Sequence, residues 1–243
     1  MINLLDKLKI EFIGTFLSTY FAGLLVLQCS IHGIYEIAMA SGIMLIFTLV
    51  TYLGKNISGA QFNPVITLTI AITGRQSFKD AGIMIGVQFF SALFAASLLV
   101  NSVPSELFGA VAPFSMIGFP TNSETNYFLQ IFLELLGAFF LVFGYFMLMF
   151  DSRTANEHCA PGIGMLYLSC TILMFERTGA MLNLARLFGY VIVSSTIKTS
   201  WIYIIANPIG GIAGGFLAHG LIKMAQKKEE SLQESSEVIE PSE

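Results

Sequence analysis

The sequence predicts an all-α membrane protein: six transmembrane helices plus two re-entrant half-helices, arranged as an inverted repeat. Three observations lead there. Of 243 residues, 55% are hydrophobic and 12% charged, with a mean hydropathy of +0.74, which leaves too little polar surface to coat a soluble globule of this size. Six apolar runs reach the roughly 20 residues that a helix needs to cross a bilayer. Two further short apolar stretches, each led by an asparagine, recur at matching places in the two halves of the chain.

The first run, about 10 to 31, follows a short charged lead (Asp6, Lys7, Lys9) and is too long for a signal-peptide core, so it reads as a retained membrane helix. The second covers about 34 to 53. "NPVITLTIAIT" from Asn63 is only 11 residues long, about 16 Å of helix and half a bilayer core, and reads as a re-entrant half-helix. Spans at about 81 to 103, 126 to 150 and 159 to 175 follow. "NLARLFGYVIV" from Asn183 is a second half-helix, and about 200 to 222 is the sixth span.

Six spans put both termini on one side. The loops and tails assigned to that side hold Lys7, Lys9, Lys55, Arg75, Lys79, Arg153, Lys223, Lys227 and Lys228, against Arg177 and Lys198 opposite. Basic residues favour the cytoplasmic face, so both termini are expected there, in a multi-pass protein of an unspecified membrane. Asn56-Ile57-Ser58 fits a glycosylation pattern but falls on that inner side. Residues 1–223 form the membrane domain. From Met224 the tail carries six glutamates against Lys227 and Lys228, which accounts for the net charge of −4. It is poor in apolar residues, so 224–243 is expected to be a disordered, solvated cytoplasmic tail, with Ser231 and Ser236 as candidate phosphorylation sites.

The two halves are copies. "EFIGTF" at Glu11 returns as "ELLGAF" at Glu134, and "SGAQFNPV" at Ser58 returns as "TGAMLNLA" at Thr178, with Glu-to-Asn spacings of 52 and 49. The units cover about 8–103 and 126–223. Each holds three spans, an odd number, so the second enters the membrane with reversed polarity, an architecture associated with sites near the bilayer midplane.

A half-helix that ends inside the membrane leaves its first N–H groups unpaired, so that end must be buried in protein or line a wet cavity. With the repeat inverted, the ends at Asn63 and Asn183 meet near the centre. Each asparagine can cap its own helix and still offer amide hydrogens to a solute. The positive ends of two helix dipoles repel cations there, and a water oriented by both amides relays protons poorly. Arg186, three residues after Asn183, adds a fixed positive charge. This chemistry suits a neutral molecule.

At these residues the chain resembles the aquaporin family, also called the major intrinsic proteins, over nearly its whole length up to about Lys223. The resemblance implies a passive water or small-neutral-solute channel in the lipid bilayer, a homotetramer with one pore per protomer. It also implies that Glu11 and Glu134 brace the two re-entrant loops. The motifs are Asn63-Pro64-Val65 and Asn183-Leu184-Ala185, where the family usually has Asn-Pro-Ala in both. Leu184 restores a backbone donor that proline lacks and loosens the turn, a change expected to be tolerated because Leu184 is also apolar.

By the same resemblance the narrowest zone comprises Arg186, Ala180, Thr171 and Ile43, with Ser41 or Gly42 as alternatives to Ile43. None is aromatic or histidine, which implies a wider and less polar constriction than in water-specific members. Leu187 replaces the aspartate common in glycerol conductors, Tyr203 matches water-type members, and Gln61 stands where a histidine is usual. The markers are mixed and lean toward water, with glycerol or other small neutral solutes as the alternative.

Two rivals come from other classes: a non-conducting structural membrane protein, and a proton-coupled transporter using the intramembrane Glu11 and Glu134. The helix-end placement and repeat symmetry of those glutamates favour a brace. No Ser/His/Asp or metal-ligand constellation is visible, so no enzyme, metal, cofactor or nucleic-acid partner is expected. His32, His158 and His219 are scattered, and Cys29, Cys159 and Cys170 lack metal spacing. Gly82 and Gly86, and Gly210, Gly211, Gly214 and Gly215, are expected to allow close helix approach.

Overall fold

The computed structural model describes residues 2–32, 36–103, 126–197 and 200–237, and every regular element among them is helical. The order is α1 (Leu4–His32), α2 (Glu36–Gly54), α3 (Pro64–Ile72), α4 (Phe78–Ser102), α5 (Tyr127–Phe150), α6 (Asn156–Thr178), α7 (Leu184–Ser194) and α8 (Trp201–Glu237). Six of these are long and apolar enough to cross a membrane. The other two, α3 and α7, span 9 and 11 residues. The chain is an integral multi-pass membrane protein.

Local chemistry sets the ends. Ser77 caps α4 by accepting from Asp80 N–H at 3.0 Å, and Asn126 caps α5 by accepting from Leu129 N–H at 3.1 Å. Helix α6 stops at Gly179, whose φ of +75° lets its N–H turn back to the Phe175 carbonyl. Helix α8 corrects an expectation: it runs on to Glu237, so most of the stretch read as disordered is helical. Ala225, Gln226, Lys227, Lys228, Glu229, Glu230, Leu232 and Gln233 are all helix formers, with no Gly or Pro among them to stop propagation. A scarcity of apolar residues says only that such a helix has nothing to bury. Lys198 and residues 238–243 lie outside the described residues.

The packing repeats with the sequence. In the first half α1 packs on α2 and α4, and in the second α5 packs on α6 and α8. The halves exchange their short helices: α3 packs on α8, and α7 on α4. The two middle spans, α2 and α6, lie against each other. Lys55 Nζ donates to the Asn156 carbonyl at 2.6 Å, and the Arg75 guanidinium sits 4.4 Å from the Phe150 ring centre. One end of the bundle therefore gathers the end of α2, the α3–α4 loop, the end of α5 and the start of α6.

The glycines divide. A Cβ at Gly210 or Gly214 would strike the carbonyls of Leu135 or Phe139 on α5, and one at Gly211 or Gly215 would strike Val65 or Thr69 on α3. Helix α8 is thus wedged between α5 and α3. At Gly82 and Gly86 a Cβ would meet nothing within 4 Å. The close approach expected at those two glycines does not occur among the described residues, because they face away from the helices that α4 packs on.

Burial is inverted relative to a water-soluble protein. Phe90, Phe128 and Leu173 project outward, while Glu11, Asn63, Thr67, Gln88, Glu134, Asn183 and Asn207 are buried. Apolar groups face the lipid, and the polar ones gather where the two halves meet.

Candidate functional site

Asn63 and Asn183 are the N-caps of α3 and α7. The Asn63 side-chain oxygen accepts from Val65 N–H at 3.1 Å. That of Asn183 accepts from Ala185 N–H at 2.9 Å and Arg186 N–H at 3.3 Å. Their amide nitrogens cross over: Asn63 Nδ2 donates to the Leu182 carbonyl and Asn183 Nδ2 to the Phe62 carbonyl, both at 2.8 Å. The two half-helix N-termini therefore meet, and each is held by the other repeat. Pro64 occupies the first turn of α3, where its missing N–H costs nothing. Leu184, in the equivalent place, is half-buried and packs against both apolar clusters of the interior.

The loops before the caps share an unusual backbone. Gly59, Ala60 and Phe62 have φ values of +88°, +53° and +48°, and Gly179, Ala180 and Leu182 have +75°, +46° and +52°. For non-glycine residues this conformation costs on the order of 1 kcal/mol or more each, so the surroundings must hold it.

The buried glutamates do so. Glu11 accepts from Gln61 N–H (2.9 Å), Phe62 N–H (2.7 Å), Ser58 Oγ (2.5 Å) and Gln88 Nε2 (2.8 Å). Glu134 accepts from Met181 N–H (3.1 Å) and Leu182 N–H (3.3 Å), with the Thr178 hydroxyl beside it. Asn207, in the orientation that gives both its oxygen and its nitrogen a partner, donates to Glu134 Oε2 at 3.0 Å. The two sets correspond group for group.

Arg186 is buried on α7, and its Nη2 donates to the carbonyls of Ala180 (2.9 Å) and Met181 (2.8 Å). Its Nε has no hydrogen-bond partner among the described residues. Gln61 donates through Nε2 to the Ser58 carbonyl and to Gln76 Oε1, while its own Oε1 is buried without a partner among the described residues. Ile43, Thr171 and Ala180 are all buried. Of the three candidates on α2, Ile43 shares the buried face with Phe47, whereas Gly42 looks toward Leu25 on α1 and Ser41 bonds back to the Ile37 carbonyl.

This arrangement of two crossed, capped half-helices inside six spans has counterparts. The family model for the major intrinsic proteins matches residues 2–218. The chain belongs to that family. Among its relatives are the putative aquaporin NIP4-1 of Arabidopsis thaliana, 28% identical over 98% of this chain and 82% of that one, and nodulin-26 of Glycine max, 28% identical over 92% and 80%. The probable aquaporin NIP4-2 of Arabidopsis thaliana is 30% identical over 89% and 75%. In fold, the chain matches the aquaglyceroporin from Plasmodium falciparum with a TM-score of 0.79, covering 91% of this chain and all of that one at 15% identity.

As a major intrinsic protein the chain is a membrane channel of a family that passes water or small neutral solutes. Two residues of the site escape the sequence reading. Gln88 and Asn207 are isolated buried amides in the third span of each repeat, and only laying one repeat over the other would have paired them.

Proposed function

We propose that the chain is a passive water channel that excludes ions and protons, with Asn63, Pro64, Val65, Asn183, Leu184 and Ala185 at its centre. The observation that carries this reading is the reciprocal Asn63 and Asn183 bonding, which sets two helix N-termini and two capped amides at one point between the repeats. Converging positive dipole ends oppose cations, and donors from both sides orient a water so that it relays protons poorly. Arg186, with Ala180, Thr171 and Ile43, forms the filter on the outer side, and Glu11 and Glu134 act as braces for the loops. The protomers assemble as a homotetramer, with both termini cytoplasmic.

The aliphatic and small character of Ile43, Thr171 and Ala180 favours a second reading, a channel for glycerol or another small neutral solute. Stopped-flow light scattering on proteoliposomes separates the two. Osmotic shrinkage faster than in empty vesicles supports water conduction, and rapid reswelling in glycerol supports the second reading. If neither rate exceeds the lipid background, the channel reading fails. Proton uptake that depends on Glu11 or Glu134 would replace it with a transporter.

A further inference from the structure

Helices α2 and α6 run antiparallel, since the Lys55–Asn156 bond joins the end of one to the start of the other. Where they cross, residues of one repeat touch their own counterparts in the other. Phe47 and Tyr167, each 16 residues before its capping asparagine, stack with ring centroids 3.4 Å apart. About one turn earlier on each helix, a Cβ at Gly164 would lie 2.7 Å from the Met44 carbonyl, and both residues stand 19 before their asparagines. Residues that meet their own counterparts lie close to the axis relating the two repeats. The reciprocal bonds of Asn63 and Asn183 mark that axis a second time.

Such an axis gives every site on one side a counterpart on the other. The outer filter draws Ile43 from 20 residues before Asn63. Thr171, Ala180 and Arg186 stand 12 and 3 residues before and 3 residues after Asn183. Exchanging the repeats carries these four to Ile163, Thr51, Ala60 and Ile66. Isoleucine, threonine and alanine return unchanged, and only the arginine does not. The loop backbones agree too, with φ of +53° at Ala60 and +46° at Ala180.

The packing gathers the counterparts. All four are buried, and Ile163, Ala60 and Ile66 belong to one apolar cluster. A Cβ at Gly54 would lie 3.3 Å from the Ala60 Cα. Thr51, three residues earlier on α2, shares that face. Because α2 and α6 are antiparallel, Ile43 and Thr171 fall to one side of the crossing. Thr51 and Ile163 fall to the other, the side of Lys55 and Asn156.

We infer that Ile163, Thr51, Ala60 and Ile66 form a second, inner size filter in series with the outer one. This rests on the channel reading above. The exchange of Arg186 for Ile66 distinguishes the two. Arg186 donates to the Ala180 and Met181 carbonyls, whereas Ile66 has no donor for those of Ala60 and Gln61. The inner ring is uncharged and selects by width, while the outer one selects by width and charge. Barriers in series add as resistances. When they are equal, removing one alone at most doubles the rate, and only widening both goes beyond that.

The test uses Ile43→Ala and its counterpart Ile163→Ala, singly and together, in proteoliposomes. Water and glycerol rates are normalised to reconstituted protein, and each variant is checked for monodispersity in detergent. Each single variant is expected to do no more than double the glycerol rate, and the double variant to raise it several-fold. An Ile163→Ala rate equal to that of the double variant also supports the inference, with the inner ring the tighter filter. If Ile43→Ala alone reaches the double variant's rate while Ile163→Ala matches wild type, the inference falls and the channel stands. A double variant that conducts water but passes no more glycerol than wild type overturns it equally. Cation leak should stay at the wild-type level throughout, because Arg186 is untouched. Glycerol flux that appears only together with such a leak reports a disrupted protein and counts against a widened filter. If neither wild type nor variants exceed empty vesicles in either rate, the channel reading falls as well. Should Ile163→Ala fail to fold, Thr171→Ala and Thr51→Ala, also counterparts, are judged by the same rule.

Discussion

Gly14 lies under the ring of Phe62, so close that a methyl group on Gly14 would overlap the ring edge. Gly137, at the equivalent place of the second repeat, lies under Leu182 and Met174. Phe62 and Leu182 immediately precede the two capping asparagines. Each Glu-x-x-Gly motif therefore acts twice on one loop: the glutamate takes that residue's N–H, and the glycine makes space for its side chain.

Gly14→Ala is expected to cost about 1–3 kcal/mol, since the stiff Phe62 ring must move and carries its loop with it. Gly137→Ala should cost less, because the flexible thioether of Met174 can yield. Gly82→Ala, which meets nothing within 4 Å, should be neutral or stabilising. Thermal unfolding in detergent micelles ranks the three.

Glu134→Ala leaves the N–H groups of Met181 and Leu182 buried without acceptors, at about 1–3 kcal/mol each. Loss of well-folded protein on size exclusion is the expected outcome, and Glu11→Ala should behave alike. Glu134→Gln keeps one acceptor oxygen and should fall between the two. A Glu134→Ala protein as stable as wild type would remove the brace role.

Arg186→Ala is expected to leave water flux largely intact while admitting more cation leak, read by a potassium-driven voltage dye in the same vesicles. The variant also frees the carbonyls of Ala180 and Met181, which Arg186 holds at 2.9 and 2.8 Å. An unchanged leak would count against a filter charge at this position.

Asp151, just beyond α5, is bound by Arg153 through Nε at 2.9 Å and Nη2 at 2.6 Å. The guanidinium holds the Asp151 carboxyl below its ordinary range. Because the folded value is the lower one, the stabilisation is complete above the unfolded value, about 3.9, and is lost as pH falls through the folded value. Arg153 is half-exposed, so solvent screens the pair and the effect is small. The stability gap between wild type and Asp151→Asn should therefore be present at pH 7 and close toward pH 3.

The spans and half-helices are legible in the sequence because each is a run of a length that the bilayer dictates. Asn63, Asn183, Glu11 and Glu134 are legible because they recur at matched spacing. The far end of α8 is not, since helix propensity without hydrophobicity leaves no periodic trace. Nor is the contact of Phe47 with Tyr167. Both rings belong to apolar helices in which an aromatic residue is ordinary, and their meeting depends on how closely α2 crosses α6. The expectation of a roomy constriction follows from Ile43, Thr171 and Ala180 taken alone.

The crossed asparagine bonds also bear on how the protein is made. A ribosome delivers α3 long before α7, yet the carbonyl that receives the Asn63 amide belongs to Leu182, and the helix that flanks α3 on its far side is α8. Until those segments emerge, a short polar-ended helix has no complete seat inside the membrane. A nascent chain halted after α4 should hold "NPVITLTIAI" accessible to an aqueous thiol probe placed on it, and the finished chain should bury it. The first half of this protein is completed only by the synthesis of the second.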